Sequence, residues 1–173
     1  VWRAKRTGQP DLVRGAGAEL AALPYPRFYL DFETVEMAVP VWAGTRQGLS
    51  RWKGGTWTHY DARHRMPKAL VSGITAVRSP EGTLRQLWVG TRGAGLGVLE
   101  AGGEAFTWFD EAKGLVDQRV MHLLATEEGG RPCVWVSTQG GLQQFQTLPL
   151  RPTGRILSQA TSPGFPGDQV YTA

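Results

Sequence analysis

Apolar positions in this chain come in short runs broken by glycine-rich turns, and almost nowhere do they recur at helical spacing. TWTHY (Thr56 to Tyr60) and GLSRW (Gly48 to Trp52) alternate apolar and polar residues, the period of a strand that presents two different faces. VWVST (from Val134) and VMHLL (from Val120) are more continuously apolar, as strands covered on both faces are. The pattern predicts an all-β chain of many short strands. One helical signal, GAELAAL (Gly17 to Leu23), ends at Pro24 and gives the N-terminus a short irregular or helical lead.

The strands repeat. VWAGT at Val41, LWVGT at Leu87 and VWVST at Val134 are versions of one segment, 46 and 47 residues apart. Each is followed by a glycine-led apolar run: GLSRW at Gly48, GLGVL at Gly95 and GLQQF at Gly141. An aromatic run then follows in two copies, TWTHYD and AFTWFD, which aligns Trp57 with Phe106 and Tyr60 with Phe109. In the third copy it has degraded to GRIL (Gly154 to Leu157). A turn-rich linker then leads to a further apolar strand, VSGITAV at Val71, RVMHLLA at Arg119 and DQVYTA at Asp168. Each unit is thus four short strands. A small sheet with two buried faces is not stable alone and must stack on its neighbours, which describes a β-propeller blade. Trp42, Trp88 and Trp135 share one register and are expected to occupy equivalent structural sites between stacked sheets, each offering about 200 Å².

The spacing LWVGT-x-GAGL-x5-GG-x2-FTWFD-x3-GLVDQ resembles the two-component regulator propeller repeat family, over about residues 41–173. That resemblance implies an extracytoplasmic (periplasmic) part of a bacterial signalling receptor. Carbohydrates and other small polar molecules are the candidate ligands, and no cofactor is indicated. The domain reading is a lead at 1–27 and a propeller region at 28–173. Its blades fall at about 28–61, 71–110 and 118–158, and a further strand starts at 168–173. Three blades are too few to close a ring, so an open, partial propeller is expected, completed by self-association or further blades.

Bulk properties narrow the classes. The 173 residues allow one domain with a real core. The net charge of +4 is spread along the chain without a basic run, so nucleic acid is not an indicated partner. A single cysteine, Cys133, excludes an internal disulfide and a multi-cysteine metal site, and its place beside VWV predicts a small buried thiol. No apolar run is long enough to span a bilayer as a helix. The Val1 start without a signal pattern reads as a piece of something longer.

A competing chemistry lies in LPYPRFYLDFETVEMAVPVWAGTR. Residues 16–46 resemble the first motif of an uncharacterised bacterial family similar to DEDD-type 3′–5′ exonucleases. There Asp31 and Glu33, two apart on one strand face, would be the catalytic pair and would hold Mg²⁺ or Mn²⁺ in a cytoplasmic enzyme. The remaining carboxylates of such a site are missing. Asp61, Asp110, Asp117 and Asp168 each fall in a blade turn. The same stretch also fits the repeat, because Phe28, 13 residues before Val41, begins FYLDF where the first blade needs its innermost strand. Asp31 and Glu33 are then an ordinary polar position and a turn residue. A spliced chimera without selected activity is a third reading.

The remaining motifs are structural. GTRGAGLG (Gly90 to Gly97) leads into a strand and lacks a Lys-Ser/Thr ending, so it reads as a hairpin turn and not a phosphate loop. His59, His64 and His122 have no metal-ligand spacing. The sequence therefore favours a non-catalytic sensing or interaction segment over an enzyme.

Overall fold

In the computed structural model, residues 41–158 are described, and they form three antiparallel sheets in chain order. The first contains β1 (Val41–Thr45), β2 (Gly48–Lys53) and β3 (Thr56–Tyr60). The second runs β4 (Val71–Arg78), β5 (Leu84–Thr91), β6 (Leu96–Glu100) and β7 (Thr107–Phe109), each strand beside the next. The third repeats this meander with β8 (Val120–Glu128), β9 (Arg131–Thr138), β10 (Gly141–Thr147) and β11 (Leu150–Leu157). Among the described residues there is no α-helix. The expected lead at 1–27, the FYLDF strand at 28–32 and the start of a further strand at 168–173 lie outside the described residues.

The registers show that the sequence repeat is a structural one. Leu49 pairs with Tyr60 and Leu96 with Phe109, while Leu142 pairs with Leu157. The GRIL segment is therefore the true counterpart of the aromatic run. It forms part of an eight-residue strand whose pairing shifts between Gln143 and Phe145. That irregularity displaces the aromatic register, so the sequence pattern looks eroded where the strand itself is intact.

Alternation assigns every strand residue to one of two faces. On the second sheet, Leu87, Val89 and Leu99 join Leu49, Tyr60 and Met66 in the core between the first two sheets. Trp88, Leu96, Val98 and Phe109 point the other way and meet Val134, Val136 and Phe145 of the third sheet. The middle sheet is thus apolar on both faces, which explains its continuous hydrophobic runs. Hydrogen bonds tie neighbouring sheets as well. Ser72 Oγ donates to Val120 O at 2.6 Å, Gln86 Nε2 to Thr147 O at 3.1 Å, and the Phe106 amide to His64 O at 2.9 Å.

Each hairpin after the Trp strand is closed in the same way. Thr45, Thr91 and Thr138 donate through Oγ1 to the carbonyls of Gly48, Gly95 and Gly141, at 3.0, 2.8 and 2.8 Å. The same hydroxyl accepts a backbone amide of the turn, from Gln47, Ala94 and Gly140. GTRGAGLG is accordingly a hairpin turn. Gly95 has φ of +85°, and a Cβ there would lie 2.2 Å from Phe109 O, so only glycine fits. Gly44 and Gly90 have a different function: a Cβ would sit 2.5 Å from Val71 and from Val120 respectively, where the next sheet's first strand comes closest.

The linkers between sheets also repeat. Asp61 and Asp110 each cap a short 3₁₀ turn, Ala62–His64 and Glu111–Lys113. Each turn ends in a left-handed residue, Arg65 or Gly114, and then buries an apolar one, Met66 or Leu115. A cap, a turn and an anchor return the chain to the inner edge of the next sheet.

Candidate functional site

The first interlayer is built on aromatic residues. Trp42 on β1 lies 5.2 Å from Tyr60 on β3, centroid to centroid. Tyr60 in turn contacts His64 at 4.8 Å and meets Phe106 of the second sheet edge-on at 5.9 Å. Phe106 continues to Trp108 at 5.9 Å. Arg51 enters this layer from β2, because its cross-strand partner is Trp42 and the two side chains share a face. Its guanidinium carbon lies 5.7 Å from the Trp42 ring centre and 5.8 Å from that of Tyr60. Burial pushes the Tyr60 phenol above its ordinary range, and the charge of Arg51 pulls part of the way back.

The second interlayer has the same Trp position with different neighbours. Trp88 is fully buried and meets Phe145 edge-on at 5.9 Å, while Phe109 contacts Phe145 at 5.3 Å. The Trp88 indole donates to Gln86 Oε1 at 3.1 Å, and Gln86 Nε2 donates to Glu100 Oε1 at 2.8 Å. At the third copy Trp135 is only partly covered, with the guanidinium of Arg155 at 4.8 Å over its ring. Its cross-strand neighbour Leu124 is 44% exposed. The reason is register: Trp42 and Trp88 each face the following sheet, and none follows the third among the described residues.

The opposite end mirrors this. Trp52 and Trp57 pair across β2 and β3 with rings 5.4 Å apart. They correspond by register to Leu99 and Phe106, which are 5% and 1% exposed against the preceding sheet. Trp57 is 47% exposed.

The acidic and histidine candidates are absorbed locally. Asp61 accepts from the Arg63 side chain at 2.8 Å and from the Arg63 amide at 3.0 Å, which holds its carboxyl far below the usual carboxylate range. His64 Nδ1 lies 3.0 Å from Asp61 Oδ1 in the same cap. Asp110 accepts the Lys113 amide at 3.0 Å. Asp117 accepts from the Arg119 side chain at 2.6 Å, and its carboxyl is likewise lowered. His59 Nδ1 lies 2.8 Å from Ser50 Oγ, its cross-strand partner. Cys133 is buried, 3.0 Å from Thr126 Oγ1. No three His, Cys, Asp or Glu side chains are grouped to hold a metal among the described residues. Asp31, Glu33 and Asp168 lie outside the described residues.

Three comparisons bear on this arrangement. The extracellular domain of a protein described as a hybrid two-component system, from B. thetaiotaomicron, is similar over 77% of this chain with a TM-score of 0.61. The fold is a partial β-propeller. The identity is 18%, so the likeness is one of architecture, and this chain spans 19% of the length of that one. No family model matches the chain, and no curated protein matches it. The exonuclease resemblance of residues 16–46 gains no support from these comparisons.

Two kinds of residue escaped the sequence pattern. The turn-closing threonines end all three VWxxT copies, so their constancy was visible even though their hydrogen bonds were not. Arg51 gave no signal, since an arginine in an alternating strand reads as solvent-facing until the neighbouring sheet is in place.

Proposed function

We propose that this chain is a non-catalytic segment of a sensing or protein-interaction propeller, belonging to the extracytoplasmic region of a bacterial signalling receptor. The observation that carries it is the blade stack itself, together with its likeness to the extracellular domain of a hybrid two-component system. Both ends of the stack present repeat positions that are buried in the second sheet: Trp52 and Trp57 at one, matching Leu99 and Phe106, and Trp135 at the other, matching Trp88. Further blades or a second copy cover them. No helix among the described residues is long and apolar enough to cross a membrane. The ligand is a small polar molecule or carbohydrate, and no cofactor takes part.

A thermal-shift screen of mono- and oligosaccharides and other small polar molecules tests this reading. A saturable rise in Tm with one class supports it, by mass action on the folded state. Single-stranded DNA with Mn²⁺ is the opposing assay. Cleavage that disappears in Asp31→Ala would replace the sensor reading with a nuclease.

A further inference from the structure

The two interlayers are built from the same register, so the second shows what a purely structural layer requires. There the indole N–H of Trp88 is satisfied by Gln86, and the position beside it is Val98, 1% exposed. The first interlayer departs at both places. Two residues before Trp42 the sequence has Pro40, whose side chain carries no acceptor, and the counterpart of Val98 is Arg51. The result is a surplus of donors. Trp42 Nε1 and Arg51 Nε are sealed from water and have no hydrogen-bond partner among the described residues. Trp108 Nε1, on the second sheet's contribution to the same layer, is also sealed and unpartnered. Sealed polar groups without partners are rare and costly, and a repeat that satisfies them once and leaves them unpaired once marks the exception.

All three groups donate, and one belongs to a permanent cation. Among the described residues no carboxylate pairs with Arg51, whose guanidinium lies against the adjoining rings of Trp42 and Tyr60 and which is itself partly exposed. A planar guanidinium braced by two rings presents a fixed fork of N–H groups suited to two oxygens of one anion. We infer that the outer part of the first interlayer is a binding site for a small oxyanion, a carboxylate or phosphate group, held by the terminal N–H groups of Arg51 beside the Trp42 ring. The aromatic walls favour an anion carried on a compact, partly apolar molecule. This inference rests on the comparison of the two interlayers and is independent of any sensory role.

The test is isothermal titration of the full 173-residue chain with sodium acetate and, separately, inorganic phosphate, at matched ionic strength against chloride. Saturable binding of either anion is expected, and which one binds distinguishes carboxylate from phosphate. Arg51→Met should abolish it. Arg51→Lys, which keeps the charge but loses the fork, should weaken it about tenfold, the scale of one charge-assisted hydrogen bond. Trp42→Ala removes the ring beside the guanidinium and should weaken it several-fold. Arg155→Met, on the far flank, should leave it unchanged. Circular dichroism and Tm establish that each variant is folded, and Arg51→Lys carries the test if Arg51→Met is not. No saturable binding to the parent chain, or equal binding in folded Arg51 variants, overturns the inference.

Discussion

Identical residues in one repeat register have different energetic weight because their neighbours differ. Trp88 is enclosed between its own sheet and the third, so Trp88→Ala should cost about 3–5 kcal/mol in chemical denaturation, from lost burial and the cavity left behind. Trp135→Ala removes the same side chain from a flank where water and Arg155 already reach it, and should cost under about 2 kcal/mol. Equal losses at the two positions would contradict the facing assigned to them. The carboxylates give a second residue-scale prediction. Asp117 has its carboxyl lowered by Arg119, so its contribution is present above the unfolded carboxylate value, near 4. It is lost as pH falls through the lower folded value. Stability measured from pH 5 down to pH 3 should therefore fall less steeply in Asp117→Asn than in the parent chain. The strand residues were legible because burial follows period two. Arg51 and Gln86 were not, since their partners come from registers that alternation alone does not specify.

Among the elements, the hairpin after each Trp strand is the most constant device. Thr91 is fully buried and its hydroxyl both donates to Gly95 O and accepts the Ala94 amide. Thr91→Val preserves shape and removes both bonds, and should lower stability by roughly 1–2 kcal/mol in denaturant titration. Gly95→Ala should be worse, because it adds backbone strain at positive φ to a clash with Phe109 O. A Thr91→Val loss below that of a typical exposed substitution would show that the hydroxyl does not hold the turn. Much of this level was readable in advance: VWAGT, LWVGT and VWVST announced the strands, and the following glycines announced the turns. The third outer strand was harder. A pairing shift between Gln143 and Phe145 moved its apolar residues out of step with the two earlier copies.

At the scale of the whole molecule, two faces are covered by no further sheet among the described residues. Trp52 and Trp57 occupy positions that are buried against a preceding sheet in the next repeat, and Leu124 and Trp135 lie where a following sheet would stack. Such faces bring large apolar residues into water and favour association, either with further blades or between copies. The sequence announced open ends through its count of three repeats, but which side chains lie on them depended on strand facing. The most direct test of this account is sedimentation equilibrium of the full chain across a wide concentration range, beside Trp57→Lys and Trp135→Glu. The account predicts concentration-dependent association in the parent chain that weakens in both variants while their circular dichroism is unchanged. A stable monomer at every concentration, or association indifferent to both substitutions, would contradict it.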